Sequence, residues 1–193
     1  MAEGNINNSY ELLLIGGSAG SLDVIMQILP ALRSELKIAV IIILHRKTGE
    51  SLLPDLLSDK TTWSVKEAEE KELIEYNTIY IAPADYHLLI EADKTFSLDY
   101  SEKVNFSRPA IDVTFETAVE AYGASTAAVL LSGANGDGTE GLAKVKAAGG
   151  LTIVQDPFEA SVSYMPQHAI DAVKVDYISP TKEIIEIINR LNK

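Results

Sequence analysis

Short apolar runs alternate along the chain with stretches in which apolar residues recur every three or four positions. The run over residues 37–44 is continuous and rich in Ile and Val, as expected for a strand buried on both faces of a sheet. The stretch over residues 21–34 instead has the spacing of an amphipathic helix. This alternation predicts an α/β fold with a mainly parallel sheet between two layers of helices.

Extended to the whole chain, the pattern predicts a three-layer, doubly wound, Rossmann-like domain with one antiparallel β-hairpin. The predicted strands cover residues 11–15, 37–44, 63–65, 78–82, 125–131 and 151–154, and the hairpin pairs 87–90 with 95–99. The predicted helices cover residues 21–34, 51–58, 109–121, 138–148, 166–172 and 181–191. No repeat or linker interrupts the pattern, so the 193 residues are expected to form a single domain, with a flexible tail over residues 1–9.

Charge and composition argue against several classes of function. The formal net charge of −12, from 16 basic and 28 acidic residues, disfavours nucleic acid and anionic membrane as partners. No apolar run is long enough for membrane insertion, and residues 1–10 lack the pattern of a signal peptide, so a cytoplasmic location is expected. The lack of cysteine excludes disulfides, thiol catalysis and cysteine metal sites, and we expect neither a metal nor a cofactor.

A serine follows the first predicted strand in a turn of small residues. Gly16-Gly17-Ser18-Ala19-Gly20 fits the G-x-S-x-G pattern, in which small neighbours allow a sharp turn that exposes the hydroxyl group. The helix that follows would present backbone N–H groups to an oxyanion. Ser18 is therefore a candidate nucleophile, and the alternative is that it caps the helix. A phosphate-binding turn is less favoured, because the segment does not fit G-x-G-x-x-G and has no P-loop lysine.

Three histidines are candidates for a general base. His45 directly follows an apolar strand, and its unperturbed pKa of about 6.5 suits a base at neutral pH. His87 lies on the predicted hairpin and is expected to be structural. His168 is the strongest rival, because Ser18, Asp137 and His168 follow one another in the order of the α/β-hydrolases. Against His168, that fold places its nucleophile after several strands, whereas Ser18 follows the first.

Asp137 lies in a glycine-rich loop between a predicted strand and a predicted helix. A carboxylate in that loop either orients an imidazole or caps the helix. A calcium site is not favoured, because the loop lacks the repeated acids of such a site. In an open α/β sheet, ligands bind beyond the carboxyl ends of the strands. Ser18, His45 and Asp137 all follow such ends, so we expect them to converge.

Several ordered segments resemble the catalytic domain of the chemotaxis receptor methylesterases, the CheB family. The resemblance spans residues 12–185, and its most specific segments are LSGANGDG at 131–138 and the stretch 147–166, with QD at 155–156 and MP at 165–166. The other segments are IGGSAGS at 15–21, LH at 44–45, IAPADYHL at 81–88 and SRPAID at 107–112.

The resemblance implies hydrolysis of glutamate methyl esters on chemotaxis receptor helices, and deamidation of glutamine in many members. It implies that Ser18 is the nucleophile, His45 the base and Asp137 the acid that orients the base. Backbone N–H groups at Ala19 and Ala134 are the implied oxyanion donors. Methylated receptor helices are the implied partners, and a separate response-regulator or methyltransferase module is a further one.

The chain also departs from the family pattern. The family typically has Ala-Ser-Thr-Gly-Gly at the nucleophile, so a threonine hydroxyl that can support the base is missing at Ala19. Ala134-Asn135 replaces a Met-Gly pair, and Leu44 replaces a glutamine. A receiver domain is not expected in this chain, which is then a stand-alone form or an excised domain. The departures leave open a weak or inactive CheB-like regulatory or binding module, and a hydrolase with another ester or amide target.

Docking of a receptor helix is expected to be weak. Receptor signalling helices are often acidic, and this chain is acidic too, so long-range attraction does not favour the encounter. Local basic residues near the site, namely Arg46, Lys47 and Arg108, are the predicted contacts, with Arg108 as a substrate-binding residue.

Overall fold

The computed structural model describes residues 9–46 and 52–192. These residues form one seven-stranded sheet with helices on both faces, together with a separate two-stranded hairpin. Residues 1–8 of the predicted tail and the predicted docking residue Lys47 lie outside the described ranges.

The described residues contain nine strands and six α-helices. The strands are β1 (Leu12–Gly17), β2 (Ala39–Leu44), β3 (Ser64–Glu67), β4 (Thr78–Ile81), β5 (His87–Ile90), β6 (Phe96–Asp99), β7 (Thr126–Leu130), β8 (Leu151–Gln155) and β9 (Tyr177–Ser179). The helices are α1 (Ser21–Ile28), α2 (Leu53–Ser58), α3 (Ile111–Tyr122), α4 (Thr139–Ala147), α5 (Tyr164–Ala172) and α6 (Thr181–Ile188). Short 3₁₀ turns at Leu29–Ala31 and Gly123–Ser125 follow α1 and α3.

The main sheet has the doubly wound arrangement that the sequence predicts. Its strands run parallel in the order β3-β4-β2-β1-β7-β8-β9. On one side of β1 the chain moves outwards through β7, β8 and β9, and on the other side β4 lies between β2 and the edge strand β3. The predicted hairpin is also confirmed, because β5 pairs antiparallel with β6. The hairpin packs against α3, where the Thr114 hydroxyl donates a hydrogen bond to the Leu88 carbonyl oxygen.

Two hydrophobic cores lie on opposite faces of the sheet. Successive residues of a strand point to opposite faces. Leu13 and Ile15 of β1 therefore pack with α1 and α6, whereas Leu12 and Leu14 pack with α3, α4 and α5. All residues of β1 and β2 are buried, which explains why these strands read as continuous apolar runs rather than as alternating ones.

Two predicted helices have different bounds in the structure. The helix predicted over residues 21–34 ends at Ile28, and a 3₁₀ turn follows it at Pro30, which has no N–H group to continue the helix. The helix predicted from Pro109 begins at Ile111, because Ala110 is extended with φ of −103° and ψ of 136°. The remaining bounds of the predicted elements differ by at most three residues.

The edge strand β9 was not predicted. It has only three residues, too few to show a clear hydrophobic pattern. Its position depends on Asp176, whose carboxylate accepts hydrogen bonds from the N–H (3.0 Å) and hydroxyl (2.8 Å) of Thr152 on β8. This contact joins segments that are 24 residues apart, so tertiary packing rather than local sequence creates the strand.

Candidate active site

The parallel register brings three chain turns to one edge of the sheet. Gly17 of β1 pairs with Leu44 of β2, and Gly16 pairs with Leu130 of β7. Ser18 and His45 directly follow two neighbouring strands, and the His45 N–H donates a hydrogen bond to the Gly17 carbonyl oxygen at 3.2 Å. The loop after β7 leads to Asp137.

The Ser18 turn requires small residues. Gly20 has a φ of 79°, and a Cβ atom there would lie 2.5 Å from the Cβ of Ser161. A Cβ on Gly17 would lie 2.5 Å from the Cβ of Ser21. α1 begins at Ser21 with Gly20 as its N-cap residue, so Ser18 is not the cap. The Ser18 side chain is partly exposed, and its hydroxyl makes no hydrogen bond to any described residue.

Ser132 links the Ser18 turn to two other loops, a role that sequence analysis missed. Its carbonyl oxygen accepts the Ser18 N–H at 2.9 Å. Its hydroxyl donates to the Ala19 carbonyl oxygen at 2.7 Å and accepts the Val162 N–H at 2.9 Å. Its own N–H donates to the Gln155 side chain. Ser132 is fully buried, so these contacts hold the turn in place without water.

His45 is held at both ring nitrogens. Nε2 lies 2.7 Å from Oδ2 of Asp137, and Nδ1 lies 3.3 Å from the hydroxyl of Ser107. The ring is 12% exposed. Asn135 donates to the Ser107 hydroxyl at 3.3 Å and thereby links the loop before α3 to the acid loop. Because Nε2 faces the carboxylate, Nδ1 is the nitrogen left for another partner.

Asp137 is fully buried and receives five hydrogen bonds in the described part of the chain. The donors are His45 Nε2, Asn105 Nδ2 and the backbone N–H groups of Ile111, Asp112 and Gly138. Burial by itself raises the pKa of Asp137, but the hydrogen bonds from His45, Ile111 and Asp112 outweigh burial and lower the pKa below its usual value.

The N-terminus of α3 is therefore part of the site. Asp137 accepts the first two N–H groups of that helix, from Ile111 at 2.7 Å and Asp112 at 3.1 Å, where the helix dipole favours a negative charge. The sequence predicted that Asp137 orients an imidazole or caps the helix that follows it. In the structure it contacts an imidazole and caps a different helix, α3, which precedes it in the chain.

The other two histidines make different contacts. His87 is buried, and its Nδ1 accepts the Ala110 N–H at 3.2 Å while Nε2 lies 2.9 Å from the Glu102 carbonyl oxygen. These bonds agree with a structural role. His168 lies on α5, with Nδ1 3.0 Å from the Thr139 hydroxyl. It contacts Thr139 rather than Asp137, so the geometry favours His45 over His168.

Arg108 lines a cleft beside His45, but its guanidinium is already engaged. The cleft has a volume of about 240 Å³ and is lined by His45, Arg46, Lys103, Phe106, Ser107 and Arg108. The Nε and Nη2 atoms of Arg108 donate to Asp85, and Nη1 donates to the carbonyl oxygens of Tyr100 and Ser101. Arg46 is similarly paired with Glu67. The guanidinium of Arg108 is thus fully engaged, whereas Nε of Arg46 is buried without a hydrogen-bond partner among the described residues.

The predicted oxyanion donors lie on the two loops that flank Ser18 and Asp137. Ala19 and Ala134 are exposed, and neither N–H donates a hydrogen bond to any described residue. Residues 9–46 and 52–192 contain no group of three or more His, Asp or Glu side chains arranged to hold a metal ion. No helix in those ranges combines the length and apolarity needed to cross a bilayer.

Comparison with known proteins agrees with this geometry. A model of the CheB methylesterase family matches residues 13–188. The chain belongs to the CheB methylesterase family. A crystal structure of the Thermotoga maritima CheB methylesterase catalytic domain superposes with a TM-score of 0.90 at 36% identity, and the match covers 95% of this chain and all of that one.

Two CheB relatives differ in how much of their length is matched. A Leptospira interrogans protein, provisionally named protein-glutamate methylesterase/protein-glutamine glutaminase, is 47% identical over 190 residues, which is 96% of each chain. The Thermotoga maritima protein-glutamate methylesterase/protein-glutamine glutaminase is 36% identical over 182 residues. That match covers 92% of this chain and 53% of the Thermotoga protein.

Proposed function

We propose that this chain is a protein-glutamate methylesterase that hydrolyses glutamate methyl esters on chemotaxis receptor helices with Ser18, His45 and Asp137. The observation that carries the proposal is the 2.7 Å hydrogen bond between His45 and the buried Asp137, at the sheet edge where Ser18 follows the neighbouring strand. The names of the Leptospira and Thermotoga relatives support the same reaction.

In the first half of the proposed reaction, Nδ1 of His45 takes the hydroxyl proton of Ser18 while Oγ attacks the ester carbonyl carbon. The proton then passes to the methoxy oxygen, and the C–O bond breaks. Methanol leaves, and the glutamyl group remains on Ser18 as an acyl-enzyme ester. In the second half, Nδ1 takes a proton from water, which attacks this ester. Ser18 regains a proton from His45, and glutamate is released.

Asp137 serves this reaction as a fixed negative charge. It holds Nε2–H of His45, so the Nδ1 lone pair remains available for a proton. Once His45 is protonated, the carboxylate stabilises the imidazolium ion. The lowered pKa of Asp137 keeps the carboxylate ionised at neutral pH, and the α3 N-terminus holds it in place.

Backbone N–H groups supply the oxyanion site in this proposal. The N–H groups of Ala19 and Ala134 have no acceptor among the described residues, so both are available to a substrate oxygen. The substrate helix would lie over the cleft beside His45, where Lys103 and the 96% exposed Phe106 form the rim. Arg108 would shape this cleft, because its hydrogen-bond donors are used within the protein.

The proposal extends to deamidation and to partners. The names of the relatives include protein-glutamine glutaminase, and the same steps on a glutamine amide would release ammonia instead of methanol. We infer that the partners are methylated receptor helices in the cytoplasm, with a separate response-regulator or methyltransferase module as a further partner. We also propose that residues 1–193 form a single CheB-type catalytic domain.

A fluorophosphonate probe tests the nucleophile directly. We expect mass spectrometry of the intact protein to show one adduct, located at Ser18, and His45→Ala to abolish it. Methanol release from a methylated receptor fragment should be lost in Ser18→Ala and retained in Ser34→Ala, which changes an exposed serine elsewhere. A folded wild-type protein that binds the fragment without an adduct or methanol release would indicate a binding module instead.

A further inference from the structure

A second buried carboxyl group lies against Asp137 and has no role in the reaction above. Asp112 is 6% exposed, and its own N–H donates to Oδ1 of Asp137 at 3.1 Å. The Asn105 amide bridges the two side chains, with Nδ2 2.9 Å from Oδ2 of Asp112 and 3.4 Å from Oδ1 of Asp137. The two acids thus share one buried environment.

The two carboxyl groups receive different numbers of hydrogen bonds. Asp137 has the five donors described above, whereas Asp112 has two within the described residues, Asn105 Nδ2 and the Gly141 N–H. Two adjacent buried carboxylates do not readily ionise together, because each disfavours the negative charge of the other. The group with fewer donors is the less stabilised anion, so Asp112 is the one that keeps the proton.

We propose that Asp112 is a positioning residue of the catalytic site, carried as a neutral carboxylic acid so that Asp137 bears the single negative charge opposite His45. This inference rests on the proposed roles of Asp137 and His45. It assigns to Asp112 two tasks: it joins α3 to α4 through the Gly141 N–H, and it keeps a second charge away from the base.

The surroundings of Asp112 favour its neutral form. Burial raises the pKa of Asp112 to about 7, the Gly141 hydrogen bond opposes this effect, and the charge of Asp137 adds to it. On α4, Glu140 contributes a further negative charge. On β5, which packs against α3, the titratable residue is His87, whose two nitrogens are hydrogen-bonded to backbone groups.

The state of Asp112 affects the base through charge. An ionised Asp112 would place a second negative charge near His45 and favour the protonated ring. The ring would then stay protonated and unable to accept the Ser18 proton. A neutral Asp112 leaves His45 free to act as a base at a lower pH than an ionised Asp112 would allow.

The direct test is a carbon-13 NMR titration of the aspartate carboxyl groups in the full chain, with Asp112→Asn used to assign the resonance. We expect the Asp112 carboxyl to titrate near neutral pH. Titration at or below the ordinary value of about 3.9 would overturn the inference. This result does not depend on activity, so an absence of Ser18 labelling would count against the proposed function alone.

Two variants test the role in positioning. Asp112→Ala should slow fluorophosphonate labelling of Ser18 by about tenfold or more, because it removes the α3–α4 link and displaces Asp137. Asp112→Asn mimics the neutral acid, so it should retain most of the wild-type rate and leave the half-maximal pH of labelling at the wild-type value. A half-maximal pH that moves downwards in this variant would show that Asp112 is charged in the wild type and would contradict the proposal. If Asp112→Ala does not fold, the titration and the Asn variant still decide whether Asp112 is a neutral positioning residue.

Discussion

The acid side and the nucleophile side of the candidate site are built differently. Asp137 is fully buried and receives five hydrogen bonds within the described structure. Ser18 is partly exposed, and its hydroxyl has no hydrogen bond to any described residue. His45 follows the strand next to that of Ser18 and makes a 2.7 Å contact to the acid and a longer 3.3 Å contact to Ser107. The negative charge of Asp137 is thus fixed by the fold, whereas no described residue fixes the hydroxyl of Ser18, the proposed nucleophile.

This difference has a physical reason. In the proposed reaction the charge of Asp137 acts through His45. Such a charge stabilises the imidazolium ion better when its position is fixed and water is excluded. A nucleophile must instead change its bonding partner during the reaction. The backbone that carries Ser18 is nevertheless held through Ser132, although the Ser18 hydroxyl has no hydrogen bond within the described parts of the chain.

The largest expected effect comes from replacing the acid. Asp137→Asn should lower the rate of Ser18 labelling by about 10⁴, because the amide no longer fixes the His45 tautomer. It should also lower the free energy of unfolding by about 2–4 kcal/mol, because buried donors lose their acceptor.

Ser18→Ala should abolish labelling but change the free energy of unfolding by less than about 0.5 kcal/mol. Urea unfolding of the two variants checks this difference in stability. Equal losses of stability would show that the two sides of the site are built alike.

The pH dependence of stability sharpens the comparison of the two buried acids. The pKa of Asp137 is lowered in the folded protein. Its carboxylate therefore adds to the free energy of unfolding above the unfolded-state pKa of about 4, and this stabilisation is lost as pH falls through the folded-state pKa. The pKa of Asp112 is raised to about 7, so its burial lowers the free energy of unfolding as pH rises from the unfolded pKa towards that value.

Asp112→Asn should therefore gain stability relative to wild type between about pH 5 and about pH 8, by about 3 kcal/mol. Urea unfolding at both pH values measures the gain. If the free energies of unfolding of the two proteins change by the same amount across this range, Asp112 titrates in the same way in the folded and unfolded states.

A smaller effect is expected at the backbone of the Ser18 turn. Gly20→Ala should destabilise the protein by about 2–3 kcal/mol, because it combines a positive φ of 79° with a Cβ clash 2.5 Å from Ser161. Gly149→Ala is the matched control, with a φ of 82° but its nearest atom, the Cβ of Ala124, at 3.7 Å. The control should cost only about 1 kcal/mol. Equal melting temperatures of the two variants would show that the turn relaxes around the new side chain.

The smallest effect is expected at Ser107. Its hydroxyl lies 3.3 Å from Nδ1 of His45, the nitrogen that Ser18 would use. Ser107→Ala removes this competing hydrogen bond, worth about 1 kcal/mol, so labelling of Ser18 should become about two- to fivefold faster. Ser107→Thr retains the hydroxyl and should label at the wild-type rate. Slower labelling of the alanine variant would mean that Ser107 holds the ring in place instead of competing with Ser18.

Much of the fold was predictable because the buried face of a strand or helix produces a regular spacing of apolar residues along the chain. The continuous apolar runs of β1 and β2 record strands that are covered on both faces, and the glycines around Ser18 record a turn too tight for side chains. The order of strands and helices then placed Ser18, His45 and the Asp137 loop at carboxyl ends of strands. Short elements were less predictable, since the three residues of β9 depend on Asp176 and Thr152.

The sequence by itself determined the doubly wound fold and the residue types available at one edge of its sheet. Only the tertiary structure decided that Asp137 caps α3 instead of its own following helix, that Nε2 of His45 faces it, and that Asp112 lies beside it. The physical reason is separation along the chain. His45 and Asp137 are 92 residues apart, and no local pattern records which buried donors and acceptors will meet once the helices pack on the sheet.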